Sequence, residues 1–394
     1  MENNPAIVLD LGSDTIKAGF SVSQCPDFVL PNVVGRPLVP PGTNLLTNDF
    51  LFCDQTTPVS VNKTLNVTHP LERATVSQWD DECKILDYLF DRKMKTSPRD
   101  HCLMITEASL ASRKYRKKLI EVFFEEYLIP SIHIQPEALC SLCAAGLTSG
   151  TVIEIGENAT RVASIVDHQF VPKSCAHIKV GGAEVTQRLI KLFQLRRTTF
   201  PENEPVNPYR RIKESYCRVS KNISRRRALY EQDTAQFSTF SMANGRSIQL
   251  HREIYEPAEV LFEPSLIGQD GPGIVPLLFD SICHADPTIR NQITEHVVLS
   301  GGTALLPGLG ERIASDTRNM IAKEVKGQNK HHLTIPDAMM VEAFSHSNIL
   351  AYAGAAVCAQ VYLNNEEYWA EKADYENDGV DAIVRRFKSA TLRE

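Results

Sequence analysis

Two segments that lie far apart in the chain have the same order of residue types. In each, an apolar run ends in a carboxylate, a glycine follows, and polar residues lead back into β-branched residues. The two carboxylates are Asp10 and Glu154, and the two glycines are Gly12 and Gly156. This pattern predicts a β-hairpin with a tight polar turn at both places.

Such a pair of turns is suited to hold phosphate groups and a metal ion. A glycine lets backbone N–H groups approach phosphate oxygens, the Ser13 hydroxyl can donate to them, and Lys17 can neutralise their charge. Asp10 and Glu154 can hold Mg²⁺ through its water molecules. One hairpin of this kind indicates only a turn, but the repeat predicts a nucleotide in a cleft between two related halves of the protein.

A third motif follows a short apolar strand that begins at His296. Gly301 and Gly302 are adjacent, and Pro307 and Gly308 prevent a regular helix from starting at once. Two residues without side chains suit a flat purine or ribose, although a plain strand-to-helix loop is the alternative. Together the three motifs resemble the actin, hsp70 and sugar-kinase superfamily, in which two phosphate hairpins and a Gly-Gly adenosine loop enclose ATP.

Composition limits the class of protein. The chain has 394 residues, more than the roughly 250–300 at which a single core stops growing, so two lobes are expected. A net charge of −6 argues against nucleic acid as a main partner. No apolar run reaches the roughly 18 residues of a membrane span, and no signal peptide is recognised, so we expect an intracellular protein. Cys140 and Cys143 lie in an apolar helical run, which favours core packing over metal or redox chemistry.

The elements that position these motifs follow an α/β pattern. We predict a helix from residue 79 to about 90, a buried strand over 101–106 and a helix over 112–127. The last helix begins with basic residues, which indicates a solvated face or, alternatively, a partner contact. The Pro-rich segment 36–49 is expected to be an exposed mobile loop.

Five further motifs narrow the resemblance to one family. They occur in the same order and at nearly the same spacing as in actins: Val34–Pro37, Trp79–Asp81, Ile212–Glu214, Leu261–Pro264 and Leu299–Thr303. Over essentially its whole length the chain therefore resembles the actin family, and several segments are similar to the branch-nucleating subfamily of actin-related proteins. The resemblance implies an α/β actin-like ATPase fold with two ribonuclease-H-type lobes around a nucleotide cleft. The small lobe would be residues 1–140 and 338–394, with a mobile subdomain at about 35–68. The large lobe would be 141–337, with an inserted subdomain at about 182–268.

The resemblance also implies ATP and Mg²⁺ as ligands and assigns residues to them. Asp10 and Glu154 would hold the metal through water, and Glu137 and Glu154 would occupy the catalytic positions. The nucleotide would be bound by Gly12, Ser13, Asp14, Lys17, Gly156, Glu157, Asn158, Arg210, Lys213, Glu214, Gly301, Gly302, Thr303 and Leu305.

The catalytic positions depart from the family pattern. Actins have a glutamine where this chain has Glu137 and an aspartate where it has Glu154, and that pair orients the attacking water. Asn158 also replaces a turn glycine. Because positioning supplies most of the catalysis of phosphoryl transfer, we expect slow or absent hydrolysis and a nucleotide-binding structural subunit rather than an enzyme. Two alternatives stay open: the glutamates re-space around the metal, or a shifted alignment makes Gln135 the glutamine.

Three function classes are compatible with these motifs. The resemblance favours a cytoplasmic subunit of the actin cytoskeleton that binds ATP and nucleates branched filaments. Its partners would be a second actin-related protein, accessory complex subunits, actin filaments and a nucleation-promoting factor, with no nucleic acid and no membrane insertion. A dynactin-type filament subunit or a nuclear chromatin-remodelling subunit is the alternative. A small-molecule kinase is more remote, and an hsp70-like chaperone would need a further peptide-binding domain. The segment 42–56, with Phe50 and Phe52, would be a docking loop or a buried local turn.

Overall fold

Both predicted hairpins form, and each belongs to its own β-sheet. The computed structural model describes residues 4–39, 50–56, 64–72, 75–201, 204, 207–232, 237–334 and 339–387. In the first hairpin Ile7–Leu11 pairs antiparallel with Thr15–Phe20, and on its other side Ile7–Leu11 pairs parallel with Leu103–Glu107. Ile7–Leu11 is buried along its whole length, as expected for a central strand with both faces covered. The strand order in this sheet is Ala370–Glu371, Ser131–Pro136, Leu103–Glu107, Ile7–Leu11, Thr15–Phe20 and Phe28–Pro31.

The second sheet repeats this plan. Gly150–Ile155 pairs antiparallel with Thr160–Val166 and parallel with His296–Ser300, and it too is buried throughout. The strand order is Gln169–Phe170, Thr160–Val166, Gly150–Ile155, His296–Ser300 and Met340–Ala343, with Ala176–Ile178 also paired to Thr160–Val166. The prediction of an α/β protein with two related halves is therefore confirmed.

Two helices lie between the sheets and pack against each other. Glu137–Ala144 and Leu350–Tyr362 approach so closely that a Cβ on Gly354 would lie 1.8 Å from the carbonyl oxygen of Cys140. Cys140 is fully buried among Val8 and other apolar side chains, in agreement with its predicted core role. A glycine at this crossing lets the two halves share a tightly packed joint.

The remaining helices cover the sheets or form an inserted segment. Those outside the insertion are Trp79–Asp87, Arg113–Glu121, Ile274–His284, Arg290–Glu295, Leu309–Lys326, Lys372–Asp378 and Val380–Arg386. The insertion contains Gly182–Leu195, Pro208–Tyr216, Ile223–Glu231 and the hairpin Ser238–Ser241 with Ser247–Leu250. No helix in the described ranges is both long enough and apolar enough to cross a membrane.

A small three-stranded sheet lies within the predicted mobile subdomain. Its order is Leu51–Phe52, Val34–Pro37 and Leu65–Thr68. Phe52 packs on Tyr88, with ring centroids 6.3 Å apart, and Phe50 is partly buried against the core of the first sheet. For these two aromatic residues the structure therefore agrees with a buried local turn, while residues 42–49 of the proposed docking loop, and 40–49 of the predicted mobile loop, lie outside the described ranges.

Element bounds differ from the sequence prediction in three places. The helix that begins at Trp79 continues as a π-helix, Tyr88–Met94, beyond the expected end near residue 90. The strand predicted over 101–106 is Leu103–Glu107. Met340–Ala343 pairs parallel with His296–Ser300 in the second sheet, although the predicted boundary at 338 assigned it to the small lobe.

The basic residues at the start of the helix predicted over 112–127 do not all face solvent. The predicted helix over 112–127 consists of Arg113–Glu121 and a π-helical end, Val122–Glu126, and Ser112 caps it by accepting from the Tyr115 N–H. Arg116 is buried and pairs with Glu107, the last residue of a central strand. The prediction of a solvated face is therefore wrong for Arg116, because its guanidinium is buried and forms an ion pair with the Glu107 carboxylate.

Candidate functional site

A cavity of about 460 Å³ lies between the two sheets. All the site residues predicted from the sequence line it: Asp10, Gly12, Ser13, Asp14, Lys17, Glu137, Glu154, Gly156, Glu157, Asn158, Arg210, Lys213, Glu214, Gly301, Gly302, Thr303 and Leu305. Its volume falls within the range of roughly 300–1,000 Å³ that is usual for cofactor sites. Residues from five separate parts of the chain are thus brought together by the folding of two similar sheets.

The first hairpin places a paired lysine in the cavity. Lys17 Nζ lies 2.9 Å from Asp10 Oδ2, and the Thr106 hydroxyl donates to Asp10 Oδ1 at 2.8 Å. Burial lowers the pKa of Lys17, but the charge of Asp10 and its hydrogen bond outweigh burial, so the net pKa is raised. Lys17 therefore stays an ammonium ion next to the turn. A Cβ on Gly12 would lie 2.7 Å from the Thr15 carbonyl oxygen, so this tight turn requires glycine.

The second hairpin carries the acidic pair. Ser109 donates to Glu154 Oε1 at 3.2 Å, while Glu154 Oε2 is buried and has no hydrogen-bond partner among the described residues. Burial raises the pKa of Glu154, and the charge of Glu137 raises it further against the opposing charge of Arg161. Burial, followed by the charge of Asp10, likewise raises the pKa of Glu137. The two carboxyls therefore hold protons more strongly than isolated glutamates do.

The structure shows the backbone conformation of Asn158 and the position of Gln135, the two residues at which the sequence departs from the family pattern or offers an alternative alignment. Asn158 does not adopt a positive φ, so the turn accepts it in place of glycine without backbone strain. Gln135 Oε1 lies 3.0 Å from His133 Nε2 and accepts a hydrogen bond from it. Gln135 is not one of the residues that line the cavity. The residue at the cavity in this segment is Glu137, at the start of helix Glu137–Ala144.

The Gly-Gly loop is fixed against the second hairpin. Thr303 donates its hydroxyl to the Gly156 carbonyl at 2.9 Å, and the Gly301 N–H donates to Ser347. Gly301 has a φ of +96°, and a Cβ there would lie 2.4 Å from the Ile155 carbonyl oxygen, so both conformation and space require glycine. Gly302, in contrast, faces open space, which leaves room for a flat group against the backbone.

Helix Pro208–Tyr216 forms one wall of the cavity. Asn207 caps it by accepting from the Tyr209 and Arg210 N–H groups, and Pro208 occupies the first helical position. From this helix Lys213 donates to Glu157 Oε2 at 3.2 Å and to the Gly182 carbonyl at 3.1 Å. Arg210 binds Glu214 on the same helix and Asp14 in the first hairpin turn. The inserted segment is therefore in contact with both hairpins.

Sequence reasoning missed Arg161, which also lines the cavity. It faces Glu154 across the second hairpin, as Lys17 faces Asp10 across the first. The signal was present in the sequence, because the spacing from carboxylate to cation is the same in both hairpins.

The residues present fit a magnesium nucleotide. Mg²⁺ is commonly bound through one or two carboxylates and the phosphates of a substrate, and Glu154 Oε2 is a buried oxygen without a partner in the described structure. No group of three or more His, Cys, Asp or Glu side chains in the described ranges is arranged to hold a metal alone. A metal at this site would therefore depend on the phosphates for its other ligands.

The sequence is similar to known proteins over nearly the whole chain. The family model described as Actin matches residues 1–388. Actin-related protein 2 of Drosophila melanogaster is 30% identical over 388 residues, covering 96% of this chain and 96% of that protein. Actin-related protein 2 of Acanthamoeba castellanii is 29% identical, covering 98% and 100%. Actin-related protein 2 of Arabidopsis thaliana is 30% identical, covering 97% and 98%.

Proposed function

The chain belongs to the actin family, and on that premise we propose that it is an ATP-binding subunit of the complex that nucleates branched actin filaments. The observation that carries this proposal is the full-length similarity to three proteins named actin-related protein 2. The complex would contain a second actin-related protein and accessory subunits. The pair of actin-related subunits would imitate an actin dimer at the side of a mother filament and so start a daughter filament in the cytoplasm.

The cavity supports a role for ATP with Mg²⁺. The two hairpin turns and Lys17 would bind the phosphates, while Asp10 and Glu154 would hold the metal through water. The open face of Gly302 and the half-exposed Leu305 would receive the adenosine. The metal would neutralise phosphate charge beside these buried carboxylates.

ATP would act mainly as a conformational ligand. The cavity is lined by both sheets, so a ligand that contacts both favours the closed arrangement by its differential affinity for that state. Glu137 and Glu154 occupy the positions that orient water in the family, and each differs from the family residue. We therefore propose that hydrolysis is slow and that the protein works as a structural, nucleotide-regulated subunit.

Isolation of the protein from its own cells tests the assignment. The chain would be purified through an affinity tag at its natural expression level, and the proteins that accompany it would be identified by mass spectrometry. We expect a second actin-related protein and five small non-actin subunits in equal amounts. The same preparation should accelerate actin assembly and produce branches when an activating factor is added.

Three other outcomes would contradict the proposal. Recovery with dynactin-type components would indicate a filament subunit, and recovery with nuclear remodelling ATPases would indicate a chromatin protein. A preparation of wild-type composition that fails to accelerate actin assembly with any activating factor would also exclude nucleation. A Lys17→Ala preparation tests nucleotide dependence, because it removes an ammonium charge that would bind the phosphates; its subunit composition is checked first, since the change also leaves Asp10 without its partner.

A further inference from the structure

The two hairpins carry a second repeated feature, a carboxylate residue directly opposite a cationic residue across the strands. Asp10 is directly opposite Lys17 in the first hairpin, and Glu154 is directly opposite Arg161 in the second. Directly opposite side chains of an antiparallel pair lie on the same face of the sheet. All four residues line the cavity, so each sheet contributes one carboxylate and one cation to it.

The two cations differ in what they already bind. Lys17 Nζ is held by Asp10 at 2.9 Å. The Arg161 guanidinium makes no hydrogen bond or ion pair with any residue that the structure describes, although its charge acts on both Glu137 and Glu154. A guanidinium has five N–H donors in a planar fork, and this one is half-buried at the cavity with those donors unused.

The position of Arg161 in the cavity decides which part of a ligand it meets. Leu305, beside the Gly-Gly loop, is 41% exposed, whereas Glu154 is 4% exposed. The loop end of the cavity is therefore open and the acidic end is closed. A nucleotide whose base lies at the open end extends its terminal phosphate toward the closed end, where Arg161 lies.

We propose that Arg161 binds the terminal phosphate of the nucleotide and is the large-lobe counterpart of Lys17. The proposal rests on the nucleotide role proposed above and names the group that distinguishes a triphosphate from a diphosphate. The closed end holds the carboxylates of Asp10, Glu137 and Glu154, so a phosphate there needs a cation that is not already paired. An arginine guanidinium can donate two parallel hydrogen bonds to two oxygens of one phosphate, whereas a lysine ammonium group acts as a point charge.

This contact would couple nucleotide state to the two halves of the protein. Lys17 belongs to the first sheet and Arg161 to the second. A terminal phosphate that binds Arg161, in a nucleotide whose other phosphates contact the first hairpin, links the sheets, whereas a diphosphate leaves Arg161 without its ligand. The triphosphate therefore favours the closed arrangement more strongly than the diphosphate does.

Binding measurements on Arg161→Gln test the proposal. Isothermal titration calorimetry would give the dissociation constants of Mg-ADP and of the magnesium complex of the β,γ-imido analogue of ATP, which avoids hydrolysis. We expect the triphosphate analogue to bind about tenfold to a hundredfold more weakly than to the wild type, since charged hydrogen bonds are lost. Affinity for Mg-ADP should change by no more than about twofold. Arg161→Lys, which keeps the charge but not the fork, should lie between.

Arg210→Gln is the matched control, because it removes the same charge from helix Pro208–Tyr216, another element that lines the cavity. It should weaken both nucleotides equally. If Arg161→Gln weakens both equally or neither, Arg161 only balances the charge of the glutamates and the proposal is wrong while nucleotide binding stands. If the wild type binds neither nucleotide, the nucleotide role fails together with it. Should Arg161→Gln not fold, the double variant Glu137→Gln/Arg161→Gln keeps the charge balance, and its comparison with Glu137→Gln alone isolates the contribution of Arg161.

Discussion

Arg210 reaches across the cavity and binds Asp14 with both terminal nitrogens. Its Nη2 lies 2.9 Å from Oδ2 and its Nη1 lies 3.2 Å from Oδ1. Asp14 is in the turn of the first hairpin, whereas Arg210 belongs to helix Pro208–Tyr216 of the inserted segment. The ion pair therefore joins the two sides of the cavity rim, where it would hinder the exit of a bound nucleotide.

The Asp14–Arg210 pair predicts an effect on nucleotide release. Its side chains are 45% and 29% exposed, so the pair contributes at most about 1 kcal/mol, which corresponds to about a fivefold change in rate. We expect Asp14→Asn to release a fluorescent ATP analogue about two- to fivefold faster in stopped-flow chase experiments at low salt. The difference should fade in high salt, because exposed charges are screened.

A salt bridge outside the cavity provides the control for that prediction. Glu311 lies 3.7 Å from Lys221 and neither residue lines the cavity, so Glu311→Gln should leave the release rate close to that of the wild type. Equal release rates for wild type and Asp14→Asn at low salt would show that the pair does not retain the nucleotide.

The sequence predicts the central elements well because their signals are local. Each hairpin is a short apolar strand, a turn with glycine and a second strand, and burial on both faces of Ile7–Leu11 and Gly150–Ile155 explains their unbroken apolar runs. Contacts between residues that are distant in the sequence are not indicated by such local signals. Arg116 looks like one of several surface cations in its helix, yet it binds Glu107 and the carbonyls of Val384 and Phe387.

Arg161 and the Asp14–Arg210 pair show why the site was predicted only in part. Asp14 and Arg210 are 196 positions apart, and nothing in either local pattern indicates that they meet. Arg161 was different, since the repeat itself specifies it once the cross-strand register is counted. A pattern in the sequence thus identifies residues that repeat, whereas the folding of the chain decides which unrelated residues become partners.

Nucleotide binding should stabilise the folded chain. Mg-ATP at a hundred times its dissociation constant is expected to raise the free energy of unfolding by about 2.7 kcal/mol. Lys17→Ala should lose most of this gain, because the lysine supplies charge to the phosphates, whereas Asp14→Ala should lose at most about 1 kcal/mol of it, the contribution of the exposed pair with Arg210. Since Lys17→Ala also leaves the buried Asp10 without its partner, the quantity to compare is the shift that Mg-ATP produces within each variant. An unchanged melting temperature of the wild type in saturating Mg-ATP would exclude the nucleotide role.

Hydrolysis should be limited by the altered acidic pair. On the proposed assignment, the longer side chain of Glu154 and the carboxyl group of Glu137 would shift the attacking water, and a misplacement of about 1 Å can cost about a hundredfold in rate. The double variant Glu137→Gln/Glu154→Asp restores the family pattern and should release phosphate faster, with ATP affinity unchanged within a few-fold. Single-turnover phosphate release, measured for the two single variants as well, checks this. A wild type that is as fast as the double variant would mean that the glutamates re-space around the metal.

The buried Glu82 should make stability depend on pH. Burial raises its pKa from 4.5 to about 7, against a single hydrogen bond from Asn32, and its Oε2 has no partner among the described residues. The folded state thus holds a proton that the unfolded state has lost, so this contribution is present at acid pH and declines as pH rises toward 7. Glu82→Gln should match the wild type near pH 4 and exceed it by about 3 kcal/mol at pH 8 in urea unfolding. The exposed Glu295→Gln should show no such divergence, and parallel pH profiles for Glu82→Gln and wild type would refute the assignment.

The isolated chain should remain a monomer under conditions that polymerise actin. A filament subunit needs compatible surfaces at both ends, whereas a nucleating subunit needs only the surface that meets the first daughter actin, with its other end held by the complex. Phe50 and Phe52 pack locally, with Phe50 under the Arg36 guanidinium at 5.1 Å, so these aromatic side chains are not free to dock on a second copy. In sedimentation velocity runs with Mg²⁺ and salt, we expect a single species of about 44.0 kDa. Addition of the partner subunits should then produce a complex that stimulates actin assembly, whereas long filaments of the pure chain would favour the dynactin-type assignment.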